Sequence, residues 1–356
     1  MKIVYRILTI LILPLLILAA VNYHFDPDYT LRKDYISELT EQLLNENIVS
    51  GPVNINSRAL KKQWIKNLPY SPELVVLGSS RTLPLTKETF ENNSFFNTSL
   101  TNCTWQDMYA VVNWLDKKEG KFPAEVIICA DQWLFNENFN EKRWLQNRED
   151  ILEIVQNTKI SGKDFPSKWS FQKEWIKELF SVRYFIRSLR YRGKAEHFKA
   201  TTEIDSTKMN LLPDGSRYLP KQLTEPSEET LHQAVENYVR TSNDELFSEL
   251  SAQQCQLFEN LLKLLQERQC KITLFIPPFH PLATTSYASN PKTSGLKKAN
   301  KYIMQFKNQE NINVIDCTDS LKFQFQPDDF YDAVHLKPTV LKAVFENAFK
   351  NQAYEK

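Results

Sequence analysis

Four short apolar runs constrain the fold of this chain more than any other feature of its sequence. They cover residues 74–77, 126–130, 272–276 and 314–315, and polar or turn-forming residues follow each of them. Apolar and polar residues do not alternate within these runs, which is typical of strands buried on both faces of a parallel sheet. The sequence therefore predicts an α/β fold whose central sheet is mostly parallel.

Stretches of helical composition lie between these runs, at residues 104–118, 229–268 and 296–308. Strands that alternate with helices predict a three-layer α/β/α domain, here over residues 71–356, with its reactive groups at the carboxyl ends of the strands. Residues 137–228 interrupt the alternation. We predict that they form a mostly helical insertion over that edge, either a lid or partner surface or a solvated appendage.

The N-terminal segment predicts the compartment. Residues 7–21 are uncharged and apolar, in a chain whose mean hydropathy is −0.44. Such a run is either a membrane anchor or the central part of a signal peptide. We favour an uncleaved anchor that contacts the bilayer through residues 7–23, because Leu18 makes a poor cleavage site after Ala20.

Charged residues before the apolar run predict its orientation. Lys2 and Arg6 keep the N-terminus in the cytoplasm, so the chain beyond residues 1–25 is expected outside the cytoplasmic membrane. Residues 26–70 are polar, with apolar positions at helical spacing, and are predicted to form a helical connector.

The charge balance and the cysteines exclude several classes of protein. Lys and Arg number 44 against 43 Asp and Glu, a net charge of +1, whereas a dedicated nucleic-acid-binding protein carries a clear basic excess. The five cysteines form no C-x-x-C pair, which argues against a zinc site and against a dense disulfide framework. A single disulfide between Cys255 and Cys270 is compatible with the sequence. No metal or other cofactor is predicted.

Two motifs at opposite ends of the predicted α/β domain carry groups for nucleophilic catalysis. Ser80 follows the first apolar run in a Gly-Ser-Ser-Arg sequence, and Asp332 precedes His335 by three residues just before a C-terminal helix. This spacing allows one turn to hold both side chains, so that His335, oriented by Asp332, can deprotonate Ser80. The structural alternatives are a helix N-cap for Ser80 and a hydrogen-bonded surface histidine for His335.

These motifs resemble those of the SGNH (GDSL-type) hydrolase superfamily over residues 71–136 and 270–345. The Gly-Ser-Ser sequence at 78–80 resembles the form that replaces Gly-Asp-Ser in a membrane-anchored extracytoplasmic branch. That branch includes partner proteins of membrane-bound O-acyltransferases and the D-alanyl transfer protein of lipoteichoic acid synthesis. The aromatic stretch at 131–136 and the segment 214–218 are also similar to sequences in that branch. The resemblance implies a sheet with flavodoxin-like strand order.

The resemblance also implies that Ser80, rather than Ser79, is the nucleophile and that two further sequence blocks bind the oxyanion. Asn102 stands where the family has Gly, and Gln132 lies in the block where the family has Asn. Since Asn tolerates a left-handed backbone, we place the oxyanion hole on the backbone amides of Ser80 and Asn102. The side-chain amide of Gln132 is a third candidate donor. The alternative is that Asn102 and Gln132 are plain turn residues.

Two neighbouring side chains are candidates for substrate binding. Arg81 would attract an anionic acceptor or acyl carrier, or else form a salt bridge on the first helical turn. Trp133 either floors a sugar-binding cleft, since pyranose faces stack on aromatic rings, or packs in the core, where Trp105 is also expected. His280, at the carboxyl end of a strand, is predicted to be a loop histidine.

Together, the motifs and the resemblance predict serine-dependent acyl transfer to a hydroxyl of a cell-surface polysaccharide or other envelope polymer. The protein would be a single-pass protein of a bacterial cytoplasmic membrane, with its catalytic domain in the periplasm or outside the cell. One alternative is a carbohydrate or lipid esterase, since the same triad serves both outcomes. Another is a non-catalytic partner of a membrane-bound O-acyltransferase, which the irregular oxyanion blocks favour.

Overall fold

The computed structural model describes residues 2–26, 34–52, 55–92, 94–156, 176–191 and 198–354. The strands are β1 (Ile48–Ser50), β2 (Leu74–Leu77), β3 (Phe95–Asn97), β4 (Glu125–Cys129), β5 (Lys199–Thr201), β6 (Asn210–Leu211), β7 (Arg217–Tyr218), β8 (Lys271–Ile276) and β9 (Ile312–Asp316). The helices are α1 (Lys2–Phe25), α2 (Asp34–Leu44), α3 (Ser57–Asn67), α4 (Lys87–Phe90), α5 (Trp105–Asp116), α6 (Arg148–Val155), α7 (Val182–Tyr191), α8 (Lys221–Thr224), α9 (Glu228–Thr241), α10 (Ala252–Glu267), α11 (Pro281–Ser289), α12 (Ser294–Met304) and α13 (Pro338–Tyr354).

A five-stranded parallel sheet in the order β3-β2-β4-β8-β9 forms the centre of the molecule. The predicted α/β class and parallel sheet are therefore confirmed, and the four predicted apolar runs form β2, β4, β8 and β9. The sequence does not predict β3, because the two phenylalanines of its Phe-Phe-Asn segment stand between polar residues and show no period.

The sheet is buried on both faces, as the unbroken apolar runs predict. Val75 of β2 lies in one hydrophobic core with Trp105 of α5 and Leu261 of α10. Its neighbour Val76 lies in the opposite core with Phe345 of α13. Since successive strand residues point to opposite faces, helices cover both sides of the sheet and three layers result.

The order of the strands places a site between β2 and β4. The chain enters the sheet at β2, adds β3 on one side and then continues from β4 on the other side, so connections from β2 and from β4 diverge at this point. In parallel α/β sheets such a switch point leaves a crevice at the carboxyl ends of the strands. Ser80 follows β2 and Gln132 follows β4, so both lie at this crevice.

A second, antiparallel sheet in the order β5-β1-β6-β7 joins the predicted connector to the predicted insertion. The sequence analysis predicts helices in both segments and does not predict these strands: β1 lies within residues 26–70, and β5, β6 and β7 lie within residues 137–228 beside the helices. Strands of two or three residues carry no detectable period in a sequence, which is why they were missed. The stretches 157–175 and 192–197 of the insertion lie outside the described residues.

Two further predictions concern the N-terminal membrane anchor and the Cys255–Cys270 disulfide. In the part of the chain that the structure describes, no helix meets the length and apolarity needed to cross a membrane. The side chains of residues 2–11, with the first part of the predicted anchor, lie outside that description. The suggested Cys255–Cys270 disulfide is wrong, since both thiols are free. Cys255 lies in the first turn of α10 and Cys270 follows the end of that helix, so most of the length of the helix separates the two side chains.

Candidate active site

A tight turn after β2 presents Ser80 at the edge of the sheet. A Cβ atom at Gly78 would lie 2.1 Å from Thr82 Oγ1 and 2.9 Å from Cys129 Cβ, so only glycine fits there. The turn continues beyond Ser80 without starting a helix, and the next helix begins at Lys87. The alternative that Ser80 is a helix N-cap is therefore wrong. The Ser80 side chain is half-buried at this edge.

The structure brings the three predicted catalytic residues together. The hydroxyl oxygen of Ser80 lies 2.8 Å from Nε2 of His335, although 255 residues separate them in the chain. On the other side of the ring, Nδ1 of His335 lies 2.8 Å from Oδ2 of Asp332 and 3.0 Å from Oδ1. The carboxylate of Asp332 accepts a hydrogen bond from Nδ1–H, so Nε2 keeps a lone pair that faces the serine hydroxyl.

The loop before α13 holds the His335 ring in this orientation. Oδ1 of Asp332 accepts hydrogen bonds from the backbone amides of Val334 and His335, each at 2.8 Å. The ring of Tyr331 stacks on that of His335, with 5.2 Å between centroids and 7° between planes. Burial by itself would raise the pKa of the Asp332 carboxyl, but the His335 ring and these hydrogen bonds outweigh it and lower the pKa.

Asn102 occupies the left-handed region that its residue type allows, with φ of 48°. The amide of Leu100 donates to the carbonyl of Gly78 at 2.8 Å, which ties the loop after β3 to the turn of Ser80. Neither the Ser80 amide nor the Asn102 amide donates a hydrogen bond to another described residue. Both amides are therefore available as donors to an oxyanion.

The buried pair Arg58–Asp107 supports the turn of Asn102, and the sequence did not predict it. Nη2 of Arg58 donates to the Asn102 carbonyl at 2.9 Å and to Oδ2 of Asp107 at 2.6 Å, and Nε donates to Oδ1 at 2.8 Å. Their side chains are 3% and 0% exposed. Burial lowers the pKa of Arg58, but Asp107 more than compensates and raises it.

Asp107 also completes the capping box of α5, in whose first turn it lies. It accepts from the Thr104 amide, and Thr104 caps α5 in return. The sequence does carry this signal, as Thr-x-x-Asp before an apolar run, but nothing in it identifies Arg58.

Gln132 is engaged away from the serine. Its side-chain Nε2 donates to the Pro277 carbonyl at 3.0 Å, and the residue is fully buried. This bond joins the chain after β4 to the chain after β8. Among the described residues, no contact links Gln132 to the triad, so its proposed part in the oxyanion hole has no support here.

Arg81 forms a buried ion pair instead of facing solvent. Its Nε lies 3.1 Å from Oδ1 of Asp131, with side-chain exposures of 5% and 0%, and its guanidinium lies over the Phe279 ring at 4.8 Å. The salt-bridge alternative therefore describes Arg81, although the partner follows β4 and not a first helical turn. A guanidinium enclosed in this way stabilises the packing beside Ser80 and is not exposed to bind an anionic substrate.

His280 joins the chain after β8 to the Asp332 loop. Its backbone amide donates to the Ala333 carbonyl at 2.9 Å, and its Nδ1 accepts from the Leu282 amide at 3.2 Å at the start of α11. Burial, and then His232, lower the pKa of its ring, and Asp332 opposes them. His280 is thus a buried loop residue that supports the loop of the triad.

The segment 214–218 is hydrogen-bonded to the end of β3 and to the turn that contains Ser80. The Asn97 amide donates to the Asp214 carbonyl, and the Arg217 amide donates to the Leu83 carbonyl, each at 2.8 Å. Gly215 has φ of +84°, and a Cβ atom there would lie 2.3 Å from the Asn97 carbonyl oxygen. The buried amino group of Lys61 donates to the same oxygen at 2.5 Å and also to the Gly215 carbonyl. Burial, and then Arg217, lower the pKa of this lysine to about 7. The sequence does not predict this role for Lys61.

A polar cleft of about 450 Å³ begins at Asn102. The half-buried Trp133 lines it and stacks with Phe139, with 6.1 Å between centroids and 8° between planes. The remaining lining residues are mostly amides and carboxylates: Asn136, Asn138, Asn140, Glu141, Asn243, Asp244 and Leu246. Trp105, by contrast, is fully buried, as predicted. A larger cavity of about 730 Å³ lies by α11 and α12, and neither lining includes a residue of the triad.

Within the described ranges, no group of three or more His, Cys, Asp or Glu side chains is placed to hold a metal ion. Comparison with protein-family models gives no match, and comparison with curated proteins gives none either. The assignment of function therefore depends on the geometry of this chain.

Proposed function

We propose that this protein is an SGNH-like serine enzyme that transfers an acyl group from an ester donor to a hydroxyl of an envelope polysaccharide. The observation that carries the proposal is the relay from Ser80 through His335 to Asp332, with 2.8 Å at each step. Nucleophile, base and orienting carboxylate within hydrogen-bond reach are the geometric signature of an activated serine.

In this mechanism His335 moves one proton in each half-reaction. Nε2 takes the proton of Ser80 as the serine oxygen bonds to the carbonyl carbon of the donor. It then gives that proton to the departing alkoxide of the donor. In the second half, Nε2 takes the proton of the acceptor hydroxyl as that oxygen attacks the acyl-serine, and returns it to Ser80. The amides of Ser80 and Asn102 would bind the oxyanion in both halves.

The cleft beside Asn102 supports a sugar as the acceptor. Trp133 and Phe139 offer near-parallel aromatic faces, and side-chain amides around them both donate and accept hydrogen bonds, as sugar hydroxyls require. Glu141 and Asp244 are the charged residues of this lining. Burial, and then Glu141, raise the pKa of Asp244. Glu141 is already paired with Arg143, and the lining, in the described part of the chain, contains no basic residue that would bind uronate or phosphate groups, so we infer an uncharged sugar.

The nearest alternative is an ester hydrolase built on the same residues. A second alternative is a scaffold without activity, and its support is that Gln132 binds Pro277 and not the triad. The partition of product separates the enzyme alternatives. With p-nitrophenyl acetate as donor, a neutral oligosaccharide should become acetylated at the expense of free acetate, and an oligogalacturonate should not. Free acetate as the only product under both conditions would indicate an esterase.

Trp133 supplies the matched variants. Trp133→Ala should lower transfer to the neutral oligosaccharide by about tenfold, while the release of p-nitrophenol measured without the oligosaccharide stays unchanged. Trp133→Phe should retain most of the transfer. If both variants transferred like the wild type, the cleft would not be the acceptor site, and the triad proposal would be unaffected.

We also propose that the domain lies outside a bacterial cytoplasmic membrane, anchored by residues 7–23, with a membrane-bound O-acyltransferase as a partner that would supply the acyl group. Apolar side chains of α1 between Ile12 and Ile17 that are 47% to 58% exposed support the anchor. A reporter fused after Lys356 should be active only outside the cytoplasm. Activity of that reporter in the cytoplasm alone would contradict this location.

A further inference from the structure

The helix α7, in the insertion, exposes an apolar stripe. Val182, Ile186 and Leu189 are 62%, 46% and 38% exposed, and their spacing of four and three residues places them on one face. The preceding turn adds Ile176 and Phe180, each 43% exposed. In the described part of the chain nothing covers this stripe, which is costly in water unless another apolar phase does so.

A second stripe of α7 is basic. Arg183, Arg187 and Arg190 are exposed and repeat the same spacing one residue further on, so they lie about 100° around the helix from the apolar stripe. The helix contains no acidic residue. An apolar face flanked by arginines is the pattern of a helix that lies in the interface of a membrane with anionic lipids.

A third stripe fastens α7 to the end of α1. The side-chain amide of Asn22, fully buried, donates to the carbonyls of Leu179 at 3.0 Å and Ser181 at 3.1 Å, just before α7 begins. On α7 itself, the Ser188 hydroxyl donates to Oδ1 of Asn22 at 3.3 Å, and the Tyr184 hydroxyl donates to Asp26. The helix is therefore held where the apolar segment of α1 ends.

We propose that α7 lies in the membrane–water interface, with its apolar stripe among the acyl chains and its arginines at anionic headgroups. Two observations single out a bilayer as the occupant: the arginines are complementary to anionic lipid, and the stripe is held beside the exposed apolar residues of α1. The proposal goes beyond acyl transfer and does not depend on Ser80. It gives the catalytic domain two attachments, so that the domain has a defined orientation over the lipid.

Spin labels on the full-length protein in vesicles of phosphatidylcholine and phosphatidylglycerol test this proposal. The half-buried Cys255 is replaced by Ser, the other native cysteines being buried, and a label is placed at Ile186→Cys or, as control, at Leu321→Cys. Leu321 is 91% exposed on the loop after β9. Accessibility to oxygen relative to a water-soluble nickel chelate measures immersion in lipid.

We expect the ratio of oxygen to nickel accessibility to be several-fold higher at Ile186 than at Leu321. Vesicles of phosphatidylcholine alone, or the variant Arg183→Gln/Arg190→Gln, should reduce that difference. A label at Ile186 that reaches the nickel chelate as freely as one at Leu321 would overturn the proposal. So would a label at Ile186 that neither reagent reaches, since protein, from another part of this chain or a second copy, would then cover the stripe.

Discussion

Arg58 donates a hydrogen bond to the carbonyl of Asn102 at 2.9 Å, so a residue of α3, outside the predicted α/β domain, supports the left-handed turn at Asn102. The same guanidinium binds Asp107 at the start of α5. The segment before β2 is thus part of the candidate active site and not only a connector. A positioning role of this kind predicts that stability and reactivity respond differently to mutation.

Arg58→Met should lower the free energy of unfolding by about 3–5 kcal/mol, because it leaves the buried Asp107 carboxylate without its partner. It should also slow the reaction of Ser80 with a fluorophosphonate. Arg58→Met/Asp107→Asn, which removes the unpaired charge but keeps an acceptor for the Thr104 amide, should recover much of the stability, measured by urea unfolding, but not the rate of labelling. Recovery of both in the double variant would mean that the pair is structural only.

Asp332→Asn should lower turnover of an ester substrate by up to about ten-thousand-fold, the magnitude seen for the same change in a serine protease triad. The amide cannot fix the required tautomer of His335 or stabilise its charged form. Near-wild-type circular dichroism should accompany the loss. Turnover close to that of the wild type would be incompatible with the triad.

The left-handed backbone of Asn102 predicts opposite outcomes for two substitutions. Asn102→Gly keeps φ of 48° accessible and should retain labelling of Ser80. Asn102→Val strains the turn by about 1–3 kcal/mol and should slow labelling at least tenfold. The second-order rate of fluorophosphonate labelling measures both, and equal rates in the two variants would remove Asn102 from the oxyanion site.

Lys61 predicts a pH dependence of stability. Burial, and then Arg217, lower the pKa of its amino group from 10.5 to about 7 in the folded chain, whereas the unfolded chain keeps its proton up to the usual value. The unfolded state therefore binds more protons between these two pH values, and the contribution of Lys61 to the free energy of unfolding rises with pH there. Urea unfolding from pH 7 to 10 should show a steeper rise in the wild type than in Lys61→Met. Parallel curves would contradict this assignment.

Local sequence patterns were sufficient to predict four of the five strands of the central sheet and several residues at its edge. The choice of Ser80 over Ser79, and of Asn102 as an oxyanion residue, follows from the family resemblance. Ser80 itself is indicated because it follows a buried run, and Asp332 and His335 are indicated because their spacing fits one turn. These signals lie within a few residues of the feature that they predict.

Contacts between distant residues could not be predicted in this way. Arg58 meets Asp107, and Lys61 meets Gly215, across 49 and 154 positions, and both lie on α3 without any pattern that marks them. Arg81 was ambiguous for the same reason, since its partner Asp131 is reached only through the pairing of β2 with β4. The strands β5, β6 and β7 depend on tertiary contact and not on periodicity.

The most direct test of the central claim is fluorophosphonate labelling of the wild type, Ser80→Ala and Ser79→Ala. Ser79 is the matched control, because it adjoins Ser80 in the same turn and its buried hydroxyl oxygen accepts from the Arg81 amide at 3.3 Å. The proposed triad predicts one covalent adduct, at Ser80, in the wild type and in Ser79→Ala, and none in Ser80→Ala. A wild-type protein that takes no label, or a Ser80→Ala protein that is labelled as fast as the wild type, would contradict it.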